Sequence, residues 1–112
     1  MTTENQPPPA RPAVTVTTAD GRRAELTLVG DIDADVLPAL EEQLGAAPLS
    51  AAAEWIVDMN AVTRIDLACA YALLRAATRL PEAKITILWA RPSVQRTLRH
   101  AGLDAVAAIE ER

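Results

Sequence analysis

An apolar strand that feeds into a helix start restricts this chain more than any other feature. In Glu54-Trp55-Ile56-Val57-Asp58-Met59, alternation puts Trp55, Val57 and Met59 on one face and Ile56 on the other. A short connection then leads to Asp66, which stands before an Ala- and Leu-rich periodic run. A short acidic side chain at that point can accept hydrogen bonds from the free N–H groups of the first helical turn. It also complements the positive end of the helix dipole. Such strand-to-helix junctions are where α/β sheets present binding surface. Leu67, Ala68, Cys69 and Ala70 follow Asp66, and none of them carries a hydroxyl or an imidazole.

The rest of the chain is readable around that junction. Residues 1–13 are polar and proline-rich (M-T-T-E-N-Q-P-P-P-A-R-P-A), which predicts an extended, disordered tail rather than a ligand for a proline-binding module. Val14-Thr15-Val16-Thr17 and Glu25-Leu26-Thr27-Leu28-Val29 alternate on either side of Asp20-Gly21, which predicts an antiparallel hairpin with a longer loop. The threonines mark a partly wet face. Gly30-Asp31-Ile32-Asp33 is expected to break the second strand. A helix is predicted from about Asp35 to Leu44 on the stripe Val36, Leu37, Leu40 and Leu44, with Pro38 tolerated in its first turn and Gly45 as its stop. The segment from Ala46 to Ala53 reads as a connector.

The second helix is predicted from Leu67 to about Leu80, ended by Pro81. Its buried stripe is Ala70, Leu73, Leu74, Ala77 and Leu80, and Leu67, Ala68, Tyr71, Arg75 and Arg79 face outward. Lys84 to Trp89 forms the next strand. A third helix from about Pro92 to Ala101 buries Val94 and Leu98 and is capped by Gly102. Leu103 and the Ala105–Ile109 segment finish as a short strand or packed tail. The order β-β-α-β-α-β-α-β requires right-handed crossovers. The fold class is therefore α/β, a mixed, largely parallel sheet with an N-terminal hairpin and about three helices, in one domain over residues 14–112.

Charge and cysteine content set the function classes aside or keep them. The net charge of −4 disfavours broad attraction to nucleic acid or to an anionic membrane. Arg64, Arg75, Arg79, Arg91, Arg96 and Arg99 gather in the second half, and a solvated surface is their ordinary reading. The single cysteine makes no internal disulfide, which fits a reducing cytoplasm. No apolar run approaches the length of a membrane span, so a soluble, cytoplasmic protein is expected.

Four motifs in order resemble the STAS domain family, the fold of bacterial anti-sigma-factor antagonists. Gly30-Asp31-Ile32-Asp33 is similar to the family's G-E-L-D-like motif, and Pro38 matches a proline common five residues beyond it. Asp58-Met59-Asn60-Ala61-Val62-Thr63-Arg64-Ile65-Asp66 resembles D-L-S-x-V-x-x-I-D. Val94-Gln95-Arg96-Thr97-Leu98-Arg99-His100-Ala101-Gly102-Leu103-Asp104 resembles V-x-R-x-L-x-x-x-G-L-D, and the likeness covers about Val14 to Ile109. In phosphorylatable members Asp is followed by Ser-Ser-Gly or Thr-Ser-Gly, whose first hydroxyl a partner kinase modifies. Here Leu67, Ala68 and Cys69 take those places, so Leu67 is a degenerate phosphosite position and the switch is absent.

The same residues have plainer readings. Asp33 and Asp66 form a carboxylate pair suited to acid–base work or Mg²⁺ binding, but helix capping and loop hydrogen bonding are their ordinary roles. Cys69, at a helix N-terminus where thiol pKa falls, is a reactive thiol or a small packing residue. His100 is the sole histidine, which supports neither a metal site nor a Cys–His dyad, and it reads as a polar end group of the third helix. Tyr71 either covers a helix edge or anchors a partner. The resemblance implies a non-enzymatic regulator without cofactor, metal or catalytic residues, which binds a kinase-like anti-sigma factor and so regulates transcription. Its partner-binding residues would be Asp31, Asp33, Asp66, Leu67, Ala68, Cys69, Tyr71 and Arg75. Two alternatives stand beside it: the cytoplasmic STAS subunit of a lipid-transporting ABC transporter, bound to its ATPase, and a small enzyme using Asp33, Asp66 or Cys69.

Overall fold

The computed structural model describes residues 12–110 apart from Gly21 and Pro48, with residues 18–20 described by their backbone only. Of the expected tail, residues 1–13, residues 1–11 lie outside the described residues, as does Gly21 of the hairpin turn, while Ala13 already stands in the first strand. Strands β1 (Ala13–Asp20) and β2 (Arg23–Ile32) pair antiparallel, and the register runs from Ala13 opposite Val29 to Asp20 opposite Arg23. Two positions therefore separate the strands, so the connection is shorter than the longer loop expected from the alternating cores alone. Helix α1 (Leu37–Gly45), strand β3 (Glu54–Ile65), helix α2 (Leu67–Arg79), strand β4 (Lys84–Leu88), helix α3 (Pro92–Ala101) and strand β5 (Ala108–Glu110) follow. Short 3₁₀ turns occupy Leu49–Ala51 and Leu103–Ala105.

The sheet order is β1-β2-β3-β4-β5, with every pair after the hairpin parallel. Each strand–helix–strand unit advances one place in the same direction, so right-handed crossovers stack α1, α2 and α3 on one face. α2 lies in the middle and packs against both α1 and α3. The helix-side face supplies Leu26, Leu28, Trp55, Val57, Ile85 and Ile87 to the core, while Thr15 and Thr17 stand exposed on the other face. Trp55 is fully enclosed, and its indole N–H stays satisfied by donating to the Leu49 carbonyl at 2.9 Å. Among the described residues no helix is long and apolar enough to cross a membrane.

β3 departs from the sequence reading and, with β2, shapes the C-terminal end of the central strands. The strand does not stop at Met59 but runs twelve residues to Ile65. Its inward side chains are Trp55, Val57, Met59, Val62 and Ile65, so the period changes from two to three. Two bulges cause the change. Thr27 and Val29 of β2 face Asp58 and Ala61, and Gly30 and Asp31 face Val62 and Arg64. Each bulge inserts one extra β3 residue and rotates the strand locally. Without that rotation Ala61 and Thr63, rather than Val62, would point inward, and the second bulge returns Ile65 to the inward face. Gly30-Asp31-Ile32 likewise ends β2 instead of breaking it, with Gly30 at φ 83°, a backbone state that suits glycine.

Candidate functional site

The C-terminal ends of β2 and β3 deliver the predicted surface residues to one place. Asp66 donates its backbone N–H to the Ile32 carbonyl at 2.9 Å, which joins the start of α2 to the end of β2. Asp31, exposed at that end, accepts the Thr63 hydroxyl at 2.6 Å. The second bulge makes this contact, because Thr63 is the extra residue between the paired Val62 and Arg64. Asp33 accepts the backbone N–H of Asp35 at 3.0 Å and so closes the turn into α1. The Asp33 carbonyl accepts the Cys69 thiol at 3.3 Å. The Gly30–Asp33 loop and the first turn of α2 are therefore in direct contact.

Asp66 takes the N-cap position with extended backbone (φ −76°, ψ 150°), yet its side chain makes no capping hydrogen bond. Its carbonyl instead accepts from Cys69 and Ala70 at 3.0 and 3.1 Å. The carboxylate is left half-buried beside the positive helix end, with no hydrogen-bond partner among the described residues. Ala68 is exposed, and Tyr71 keeps 38% of its surface. Leu67, expected to face outward, is half-buried and packs against the core. Arg75 is exposed but already paired, with its guanidinium 3.1 Å from Glu41 of α1.

Of the two readings weighed for Cys69, the structure agrees with the small packing residue. It is fully buried, so its side chain is not part of the exposed surface expected to meet a partner, whereas Ala68 and Tyr71 are exposed. Its thiol is not activated either. Burial, with the negative charges of Asp66, Asp33 and Glu41, raises its pKa from 9.0 to about 11. Desolvation and three carboxylates outweigh the helix dipole that would lower it.

Sequence reasoning missed the far side of this site. A groove between α2 and α3 is lined by Arg64, Asp66 and Leu67 on one side and by Ser93, Arg96, Thr97 and His100 on the other. The α3 residues follow the helical spacing i, i+3, i+4 and i+7, the signal that would have identified them. At the end of β4, Trp89 is 43% exposed and holds φ 63°, an outlier for a bulky residue. The strand stops at Leu88 because of that turn, one residue earlier than expected, and the Trp89 N–H goes to the Glu110 carbonyl at 3.1 Å.

With this geometry in view, residues 15–110 match the family model described as "Mlab, STAS domain". The chain belongs to the STAS domain family. A search of curated proteins returns no match. Among solved structures, an anti-sigma factor antagonist from Mycobacterium paratuberculosis is similar at 24% identity and TM-score 0.78, covering 94% of this chain and 90% of that one. The anti-sigma factor antagonist SpoIIAA in its unphosphorylated form aligns at 12% identity and TM-score 0.71, covering 89% of each chain. A putative anti-sigma factor antagonist from Thermotoga maritima aligns at 11% identity and TM-score 0.70, covering 88% of this chain and 86% of that one. At these identities the likeness is one of fold: a mixed five-stranded sheet with three helices on one face.

Proposed function

We propose that this STAS chain is a non-enzymatic, cytoplasmic regulator that docks on a kinase-like anti-sigma factor and so frees a sigma factor for transcription. The reading is carried by the junction of the Gly30–Asp33 loop with the start of α2, held by the Ile32–Asp66 and Asp33–Cys69 hydrogen bonds. That junction offers Asp31, Asp33, Asp66, Leu67, Ala68 and Tyr71 along one end of the sheet. Arg75 extends it toward α1 in company with Glu41. Similarity to anti-sigma factor antagonists supports the class of partner. Leu67 stands where phosphorylatable relatives carry a hydroxyl, so docking here is not released by phosphorylation. A buried thiol held protonated is no nucleophile at neutral pH, and an Asp33 carboxylate tied to its own turn is a poor general base.

A second reading, the STAS subunit of a lipid-moving ABC transporter, is favoured by the same leucine, since a permanently bound ATPase needs no phosphorylation cycle. Tagged wild-type protein and Ala68→Glu distinguish the readings when their captured proteins are identified by mass spectrometry. Ala68 is exposed in the first turn of α2, so an acidic residue there suits the helix dipole and spares the fold. It also places a charge on the docking surface. Wild type is expected to retain an anti-sigma factor that Ala68→Glu loses, with unchanged melting. Recovery of a transporter ATPase would move the assignment to the second reading. Equal capture by both proteins would refute the docking surface.

A further inference from the structure

Helix α2 is bordered by two grooves, one with an Arg–Glu ion pair in its wall and one without. Toward α1, the groove wall carries Arg75, neutralised within the chain by Glu41, and Arg79 at the end of the helix. Toward α3 lies a more open groove of about 620 Å³, in the range of ligand-binding clefts. Arg64 and Arg96 flank it, and neither forms an ion pair among the described residues. From Trp89 to Leu103 the chain carries Arg91, Arg96, Arg99 and His100 without one aspartate or glutamate. Interaction with the helix dipole accounts for Arg99 and His100 in the last turn of α3. It does not account for Arg96 in mid-helix or for Arg64 on β3. Leu67 adds an apolar contact to the groove, and Asp66 is its one acidic residue.

We propose that the α2/α3 groove receives an acidic segment of the protein partner, with carboxylates on Arg64 and Arg96 and an apolar side chain against Leu67. The class of occupant rests on the docking reading above, and the groove extends that surface from the start of α2 across to α3. Charge complementarity selects the occupant, since two guanidiniums without an ion pair among the described residues stand against one carboxylate. A nucleic acid fits less well. The overall negative charge repels a polyanion, Asp66 opposes phosphates inside the groove, and a phosphate backbone makes no use of Leu67.

The test uses the full chain and three fluorescent probes: a Glu- and Asp-rich peptide containing one leucine, a Lys-rich peptide of equal length, and an oligothymidylate. Anisotropy measures affinity, and amide NMR shifts map the contact. The acidic peptide should bind most tightly, weaken as salt rises, and shift the amides of Arg64, Leu67, Ser93, Arg96 and His100. Arg64→Glu and Arg96→Glu should each weaken it at least roughly tenfold, whereas Arg79→Glu at the far end of α2 should change it less than about twofold. Both reversals fall on exposed side chains, and melting curves check that the fold is kept. Binding no tighter than that of the Lys-rich peptide, insensitivity to both reversals, or shifts mapped elsewhere would overturn the proposal. Tightest binding of the oligothymidylate would also overturn it and make the groove a nucleic-acid site. None of these outcomes bears on whether Ala68→Glu loses its captured partner, so the two readings fail separately.

Discussion

The contrast between Cys69 and Ala68 shows how one helix turn separates structure from surface. Adjacent in sequence, one is fully buried against the Asp33 carbonyl and the other exposed. A helix advances about 100° per residue, so one step back from Cys69 carries Ala68 out of the buried stripe. The buried thiol makes a testable demand on stability. Unfolded, Cys69 ionises around 9.0; folded, it does so at about 11. Between those values the unfolded chain releases a proton that the folded chain keeps, so stability falls as pH rises. The contribution is complete below pH 9 and is lost on approach to pH 11. Urea denaturation from about pH 8 to about pH 10.5 should therefore lower wild-type stability more than that of Cys69→Ala. Equal slopes would mean that the thiol is not held protonated by the fold.

Among the elements, α2 divides its work between the two sides of one cylinder. Its buried residues are Cys69, Ala70, Ala72, Leu73, Ala76 and Ala77, a stripe dominated by alanine that lets α1 and α3 approach on either flank. Periodicity predicted Leu73, Ala70 and Ala77 correctly, but it placed Leu74 and Leu80 in the core, where both are only half-buried. Alanines gave no hydropathy contrast, so the centre of the stripe was set toward the leucines. Leu73→Ala should destabilise the protein by about 2–5 kcal/mol, through lost burial and the cavity left behind. Leu74→Ala should cost distinctly less, because part of its side chain is already in water. Melts of the two variants measure the difference, and equal losses would contradict this placement of the helix.

At the scale of the whole molecule, one cluster of buried side chains runs from Ala24 to Leu103 and takes in β2, β3, β4 and all three helices. A core with no internal boundary should unfold as a unit. The two tryptophans allow a check. Trp55 is 1% exposed and Trp89 is 43% exposed at φ 63°, so Trp89→Gly removes the solvent-facing fluorophore at a backbone position that glycine tolerates. In that variant, Trp55 fluorescence and far-UV circular dichroism should report one coincident thermal transition. Separate midpoints would divide the sheet into independently unfolding parts.

The sequence by itself determined whatever depends on neighbours a few residues apart. It carried the order of the elements, the bounds of α3 from Pro92 to Ala101, the αL cap at Gly102 and the alternation of Trp55, Val57 and Met59. Propensity, periodicity and capping act over one or two turns, and those are the distances a sequence displays. The tertiary structure decided the remainder. The two β3 bulges exist because β2 fixes the register opposite them, and so Val62 turns inward in place of Ala61 while Thr63 reaches Asp31. Arg75 is neutralised because α1 brings Glu41 to it across thirty-odd residues of chain. Arg64 and Arg96 face one groove because two crossovers set β3, α2 and α3 side by side. Pairing register and the meeting of distant side chains are properties of the packed sheet, and no local pattern encodes them.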